Sequence, residues 1–104
     1  MRYRMLGSSG MKVSEICLGT MSVGTPRGVG ADEAETLKVA KAYALAGGNF
    51  LDTANKYHEG ETERLCAKII ADERDRWVVA TKYTLATKSG DPNAAGNSRK
   101  NMMQ

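Results

Sequence analysis

The sequence is poor in the residues that build metal centres and disulfide frameworks. Its 104 residues include two cysteines and one histidine, with no CxxC spacing and no histidine cluster. A metal site or a disulfide framework is therefore not expected. We predict that Cys17 and Cys66 are reduced, small residues of the core, and that His58 is a loop residue without a ligand role.

Long apolar runs and dense runs of charge are also missing. No apolar run approaches the ~18 residues of a membrane-spanning helix, and the opening MRYRMLGSSG lacks the apolar region of a signal peptide. The net charge of +3 is spread along the chain with both signs interspersed, without the basic, aromatic-interleaved patch typical of nucleic-acid binding. These features predict a globular, cytoplasmic protein that binds neither membrane nor nucleic acid.

Extended and helical patterns alternate along the chain. A hairpin is predicted first, with short extended pieces at residues 3–5 and 12–14 around the turn sequence LGSSGM. The predicted strands that follow cover residues 16–19, 49–52 and 77–82. Helices are predicted over residues 31–48 and 61–71, with a third beginning near Asn97 or Ser98. This alternation predicts a parallel sheet with right-handed crossovers.

The helix predicted over residues 31–48 has signals at both ends, and it shares a sheet-facing stripe pattern with the helix predicted over residues 61–71. Asp32 is a candidate N-cap with Glu35 three residues later, and Gly47 and Gly48 supply a stop signal. The predicted sheet-facing stripe of the first helix is Ala34, Leu37, Ala40, Lys41 and Ala44. The predicted stripe of the second helix is Leu65, Cys66, Ile69 and Ile70.

The stretch FLDTANKY, residues 50–57, places a carboxylate at the tip of a buried strand and a phenol on the following loop. One interpretation is a dinucleotide-binding doubly wound fold. Gly28-Val-Gly30 precedes a helix, and Asp52 lies 22 residues after Gly30, near where the ribose-binding acid of such a fold would be. Against this, the third glycine position of the motif is occupied by Glu33, and the glycines come well after the first predicted strand, which ends at Gly19. The Tyr-x-x-x-Lys pattern of short-chain dehydrogenases is absent, since Tyr57 is followed four residues on by Glu61.

The second interpretation is a (β/α) barrel, whose chemistry lies at the C-terminal ends of parallel strands and on the loops that follow. Asp52 ends the second predicted strand and Lys82 ends the third, while Tyr57 follows the second. If these two strands are neighbours, their backbones lie ~4.8 Å apart. A carboxylate and an ammonium at matching heights can then pair, and the phenol can reach the same point.

Such a trio has a chemical use. A free tyrosine has a pKa near ~10, and a nearby ammonium favours the phenolate and lowers that pKa. A tyrosine tuned in this way can donate a proton to a carbonyl oxygen as hydride arrives at the carbon. The spacing leaves a second explanation open, namely an ordinary salt bridge at the sheet edge beside an unrelated surface tyrosine.

Four segments together resemble the N-terminal third of the aldo-keto reductases, a family of (β/α)8 barrel enzymes. They are YRMLGSSGMKVSEICLGTMSVG, GGNFLDTANKYHEGETERL, RDRWVVATKYT and GDPNAAGNSRKNM. The resemblance runs over essentially the whole chain. It implies an α/β fold consisting of part of a (β/α)8 TIM barrel, namely the N-terminal hairpin and the first three βα units.

The resemblance also implies roles for the trio. Tyr57 would be the proton donor, Lys82 would lower the pKa of that tyrosine, and Asp52 would pair with Lys82. The fourth catalytic residue of the family is a histidine at the end of a later strand, and His58 stands at the wrong position to replace it.

A nicotinamide cofactor follows from the same resemblance. The family reduces aldehydes and ketones with NADPH, or less often NADH, which would make the chain an oxidoreductase acting on small carbonyl compounds. Gly19, Thr20 and Met21 match positions that line the nicotinamide side of the site, with Asp52 beside them. No metal is implied.

The number of strands departs from the family pattern. A barrel needs ~250 residues and eight strands, and three strands are predicted here. The chain stops about one turn into a helix without a stop signal. We therefore expect residues 1–104 to be a truncated N-terminal fragment, with little activity alone and a tendency to self-associate through the unpaired sheet edge. Two alternatives remain open: a non-catalytic nucleotide-binding or regulatory partner subunit, and a fragment that folds only with complementary strands from another chain.

Overall fold

The computed structural model describes residues 1–25, 28 and 30–104. Pro26, Arg27 and Val29 lie outside the described residues. All three belong to the glycine-rich loop predicted over residues 20–31, and Val29 is also the middle residue of the Gly-Val-Gly motif considered for dinucleotide binding. Elsewhere in this loop, Val23 forms an isolated parallel bridge with Ala31.

The predicted opening hairpin is confirmed. Strand β1 (Tyr3–Met5) pairs antiparallel with strand β2 (Lys12–Ser14), with Arg4 opposite Val13. Gly7 in the connecting turn has a φ of 55°, a left-handed value that glycine adopts without steric cost.

The predicted parallel sheet is also present, in the order β3 (Leu18–Gly19), β4 (Phe50–Asp52) and β5 (Val78–Ala80). Its strands are shorter than predicted. At the start of β5, the Trp77 amide bonds back to the Arg74 carbonyl at 3.2 Å instead of joining the sheet. Past the end of β5, the Asn55 amide donates to the Lys82 carbonyl at 3.0 Å, in the same register as the pairing of β4 with β5. Lys82 therefore lies two residues beyond the strand that the sequence assigned to it.

Helix α1 (Glu33–Leu45) begins and ends as its signals predict. The Asp32 carboxylate accepts from the Glu35 amide at 2.9 Å, which satisfies one of the free N–H groups of the first turn. At the other end, Gly47 takes a φ of 89° and its amide bonds back to the Ala44 carbonyl.

The predicted stripe of α1 is confirmed only in part. Ala40 is buried and Ala44 is half-buried as predicted. Leu37 is 38% exposed, and Thr36, outside the stripe, is buried instead. The reason is that an alanine-rich helix has little hydrophobic asymmetry, so a specific contact decides its rotation. Tyr43 makes that contact, since its hydroxyl lies 2.7 Å from the Ile16 carbonyl oxygen, just ahead of the sheet.

Helix α2 (Glu61–Ile70) buries Thr62, Leu65 and Cys66, in agreement with the predicted apolar stripe, whose two isoleucines are half-buried. The segment ADERDR that follows, predicted as a plain polar connection, forms short 3-10 turns within Ala71–Arg76, interrupted by a non-helical backbone at Glu73. The predicted third helix is confirmed as α3 (Arg99–Met102), capped by Ser98. No helix among the described residues is long and apolar enough to cross a membrane.

The described residues form an open slab rather than a closed core. The Cα radius of gyration is 14.8 Å and the extents are 44 × 39 × 21 Å, whereas a compact domain of this length has a radius of about 13 Å. Leu51, on the central strand, is fully buried, while Leu45 and Ile16 are 81% and 63% exposed. Of the three parallel strands, β3 and β5 each have one outer edge without a partner strand in the described part of the chain.

Candidate active site

The structure brings Asp52, Tyr57 and Lys82 together at the C-terminal edge of the parallel sheet. The Lys82 ammonium nitrogen lies 2.8 Å from each carboxylate oxygen of Asp52 and 3.5 Å from the Tyr57 hydroxyl. Asp52 is the last residue of β4, and Tyr57 begins a tight turn, Tyr57–Gly60, in which His58 and Glu59 have left-handed backbone angles. Carboxyl ends of parallel strands meet at one edge, so three residues distant in sequence share one point.

A main-chain carbonyl helps to hold the Lys82 ammonium in place. The Thr53 carbonyl accepts a hydrogen bond from it at 2.8 Å. The three ammonium protons are thus shared among four acceptors: the two Asp52 oxygens, this carbonyl and the Tyr57 hydroxyl. The contact to Tyr57 is the longest of these, and Nζ also lies 5.2 Å from the centroid of the phenol ring, within cation–π range.

The hydrogen bond to Asp52 is the main cause of a raised pKa at Lys82, and the Tyr57 contact adds to it while desolvation opposes it. The ammonium is therefore held protonated throughout the neutral range. The side chains of Lys82 and Asp52 are 50% and 40% exposed, so water and ligands reach the pair from the open side.

The predicted cofactor-side residues differ in their accessibility. Gly19 pairs with Asp52 in the sheet register, and a Cβ at Gly19 would meet no atom within 4 Å. Met21 is 69% exposed, whereas Thr20 is buried. The amide and the hydroxyl of Thr20 both donate hydrogen bonds to the Asp52 carbonyl, at 3.0 and 2.9 Å. Gly19 and Met21 therefore offer surface to a ligand, while Thr20 supports Asp52 from behind.

Sequence reasoning missed three contributors to this region. One is the main-chain carbonyl of Thr53, for which no side-chain pattern gives a signal. The other two are His58, expected to be a loop residue without a ligand role, and Thr62. His58 Nε2 lies 3.0 Å from the Met21 carbonyl oxygen, and Thr62 Oγ1 donates to the Val23 carbonyl at 2.7 Å.

The two cysteines are free thiols, and they differ in burial. Cys66 is buried as predicted. Cys17 is half-buried, and it lies directly before the edge strand β3. Burial is the main cause of a raised pKa at both thiols, and the charge of Asp52 adds to it at Cys17. Raised thiol pKa values favour the less reactive neutral form. Among the described residues, no group of three or more His, Cys, Asp or Glu side chains is placed to hold a metal ion.

Comparison with known proteins connects this arrangement to a family. The model of the Aldo/keto reductase family matches residues 15–104. The chain belongs to this family. It is 42% identical over 96 residues to the NADP(+) aryl-alcohol dehydrogenase of Phanerodontia chrysosporium, which covers 86% of this chain and 25% of that relative. It is also 42% identical over 89 residues to norsolorinic acid reductase A of Aspergillus parasiticus, covering 80% and 23%.

Solved structures agree with the family assignment. The holo form of an aldo-keto reductase from Bacillus halodurans superposes with a TM-score of 0.75 and 33% identity, over 88% of this chain and 29% of that one. The aldo-keto reductase chain is thus part of a (β/α)8 barrel, with the hairpin and the first three βα units. It spans about a quarter of the length of the curated relatives it matches.

Proposed function

We propose that residues 1–104 are the N-terminal part of a reductase barrel domain that uses NADPH, with NADH as the less favoured cofactor, to reduce aldehydes and ketones to alcohols. The name of one relative, an aryl-alcohol dehydrogenase, favours aromatic carbonyl compounds as the substrate class. One observation carries the proposal. The Lys82 ammonium lies between the Asp52 carboxylate and the Tyr57 hydroxyl, at the edge of the sheet where barrel chemistry takes place.

The residues present fit a nicotinamide ring on the Gly19 side of the site. Because Gly19 has no side chain and the space above it is open, a flat ring can approach the backbone beside Asp52. Gly19, Met21 and Asp52 would hold that end of the cofactor, with Thr20 acting through its hydrogen bonds to the Asp52 carbonyl. When bound, the reduced nicotinamide supplies the hydride that the carbonyl carbon accepts.

The side chains of this chain supply the proton. Tyr57 donates its hydroxyl proton to the carbonyl oxygen, which becomes the hydroxyl of the alcohol. The phenolate left on Tyr57 faces the Lys82 ammonium, and the attraction between the two charges stabilises it. Asp52 and the Thr53 carbonyl fix the ammonium, so little reorganisation is needed when the charge develops.

Residues 1–104 span about a quarter of the curated relatives, and we propose that the chain gains stability by self-association through its open sheet edges. The outer edge of β5 has no partner strand among the described residues, which form a slab wider than a compact domain. Sedimentation at micromolar concentration tests this. Species larger than a monomer are expected, and a sharply melting monomer would contradict the proposal.

The test of the reductase proposal is an amide NMR titration of the chain with NADPH, followed by an assay with an aromatic aldehyde. Shifts confined to the region of Gly19, Met21, Asp52, Tyr57 and Lys82 are expected, and they should persist in the Tyr57→Phe variant, because that variant removes only the proton donor. Turnover, if measurable, should be lost in Tyr57→Phe. A dispersed spectrum that NADPH leaves unchanged would contradict the proposal. Because little turnover is expected from residues 1–104 alone, the assay is repeated after adding a fragment that carries the complementary barrel strands. Binding without turnover in that mixture would favour the non-catalytic nucleotide-binding alternative.

A further inference from the structure

Two side chains that follow β4 bind main-chain carbonyls of the loop that follows β3. His58 Nε2 lies 3.0 Å from the Met21 carbonyl oxygen, and Thr62 Oγ1 donates to the Val23 carbonyl at 2.7 Å. We call this pair of hydrogen bonds the loop clamp. Since a carbonyl can only accept, His58 must carry its proton on Nε2. Thr62 is fully buried, so its bond is shielded from water.

The His58 ring also fills the space that Gly24 leaves. A Cβ at Gly24 would lie 3.4 Å from the ring carbon Cγ, so the ring lies directly against this part of the loop. The imidazole therefore makes both a polar contact and a packing contact with the same loop. One side chain thus sets the separation between the loop after β3 and the turn that carries Tyr57.

The backbone at His58 is strained. His58 and Glu59 have φ values of 46° and 56°, and they are the non-glycine residues with positive φ in the described part of the chain. Gly60 follows with a φ of 89°. Left-handed conformations are costly for residues with a Cβ, and they persist where surrounding contacts fix them. The strained residues come directly after Tyr57, so the path of the turn decides where the phenol points.

We propose that His58 is a positioning residue of the reductase site: by binding the Met21 carbonyl and packing on Gly24, it locks the cofactor-side loop to the turn that carries Tyr57. This inference rests on the proposed function for its catalytic meaning. An open cavity of about 370 Å³ lies between the two loops, lined by Met21, Lys56, Tyr57, His58 and Glu59. The loop clamp keeps the Met21 side of this cavity at a fixed distance from the side formed by residues 56–59.

The test compares variants of His58 in the chain, with amide hydrogen exchange as the first readout. The Gly24 amide bonds to the Ala31 carbonyl and the Ala31 amide to the Ser22 carbonyl, so these two amides report on the loop after β3. Loss of one hydrogen bond in His58→Ala should speed their exchange by about three- to tenfold. His58→Gln places an amide donor at a similar reach and should restore slow exchange.

Two further variants separate the effect of the His58 ring on amide exchange from the effects of backbone strain and of overall stability. His58→Gly removes the ring but suits the positive φ, so it should fold at least as well as His58→Ala and still exchange fast at Gly24 and Ala31. Thr81→Val removes a side-chain hydrogen bond to Glu63 outside the clamp and should leave both amides unchanged. A long-range proton–nitrogen spectrum of the wild-type chain should show His58 protonated on Nε2.

The NADPH titration then links the clamp to the site. In the wild-type chain the Met21 and Tyr57 amides should shift together, whereas in His58→Ala the response at Tyr57 should be lost and that at Gly19 kept. Unchanged exchange in both His58→Ala and His58→Gly, or a failure of His58→Gln to restore slow exchange, would overturn the positioning role of His58. Unchanged spectra with NADPH in the wild-type chain would overturn the proposed function, while the exchange data would still decide on the clamp.

Discussion

The ion pair between Asp52 and Lys82 should contribute about 1 kcal/mol to the stability of the fold. Charge-assisted hydrogen bonds reach about 1.5–3 kcal/mol, but exposed ion pairs contribute about 0.2–1 kcal/mol because water competes for both charges. Here the side chains are 40% and 50% exposed, yet both carboxylate oxygens are engaged at 2.8 Å and the Thr53 carbonyl orients the ammonium. This geometry favours the upper end of the exposed range.

A double-mutant cycle measures this contribution. Unfolding of the wild-type chain, Asp52→Asn, Lys82→Met and the double variant in urea, at one protein concentration and about pH 7, gives the coupling free energy. The control pair is Glu33 and Lys68, which meet through one carboxylate oxygen at 2.6 Å and are 50% and 54% exposed. We expect about 1 kcal/mol for the first pair and less than about 0.5 kcal/mol for the control.

The pH dependence gives this prediction a second, independent check. Because the Asp52 hydrogen bond raises the pKa of Lys82 above its reference value of 10.5, the folded chain holds this proton more tightly than the unfolded chain. The contribution is therefore complete below about pH 10.5 and is lost as the pH rises through the folded pKa. A coupling equal to that of the control, or one that stays constant through this alkaline range, would refute the reasoning.

Three further predictions concern the scaffold, each checked by urea unfolding followed by circular dichroism. Tyr43→Phe should cost about 1–3 kcal/mol, because the hydroxyl that serves the amide and carbonyl of Phe50 is lost from a half-buried site; a neutral effect would show that water replaces it. Leu51→Ala should cost about 2–5 kcal/mol, enough to abolish cooperative melting, because Leu51 is fully buried on the central strand; a fully cooperative transition would contradict this. Asp32→Ala should cost about 1 kcal/mol through the lost N-cap, and Asp32→Asn should recover most of it.

Much of the fold could be predicted because local signals agree with the final structure. The turn glycines set the hairpin, Asp32 set the start of α1, and alternation of apolar strands with helices set the parallel sheet. The rotation of α1 could not be predicted in this way. Its alanines pack acceptably in several orientations, and the choice depends on the Tyr43 hydroxyl reaching the backbone at Phe50 and at Ile16, which lies 27 residues away in sequence.

The candidate site divides in the same manner. The sequence by itself determined that a carboxylate, a phenol and an ammonium lie at or just after the ends of two predicted strands, since apolar runs locate strands to within a few residues. The sheet topology decided that these strands are neighbours. Only the tertiary structure decided the distances of 2.8 and 3.5 Å and the part played by the Thr53 carbonyl. A main-chain acceptor carries no residue-specific signal, so its position depends on how β4 and β5 pair.

The family membership and the order of the elements were thus written in the sequence, as local propensities and as segments similar to those of known reductases. The tertiary structure alone decided that the turn after Tyr57 takes left-handed conformations and that His58 reaches the Met21 carbonyl. Left-handed backbone at a histidine is unfavourable by itself, so no local pattern predicts it. It exists because contacts between two loops, brought side by side by parallel strands, stabilise it there.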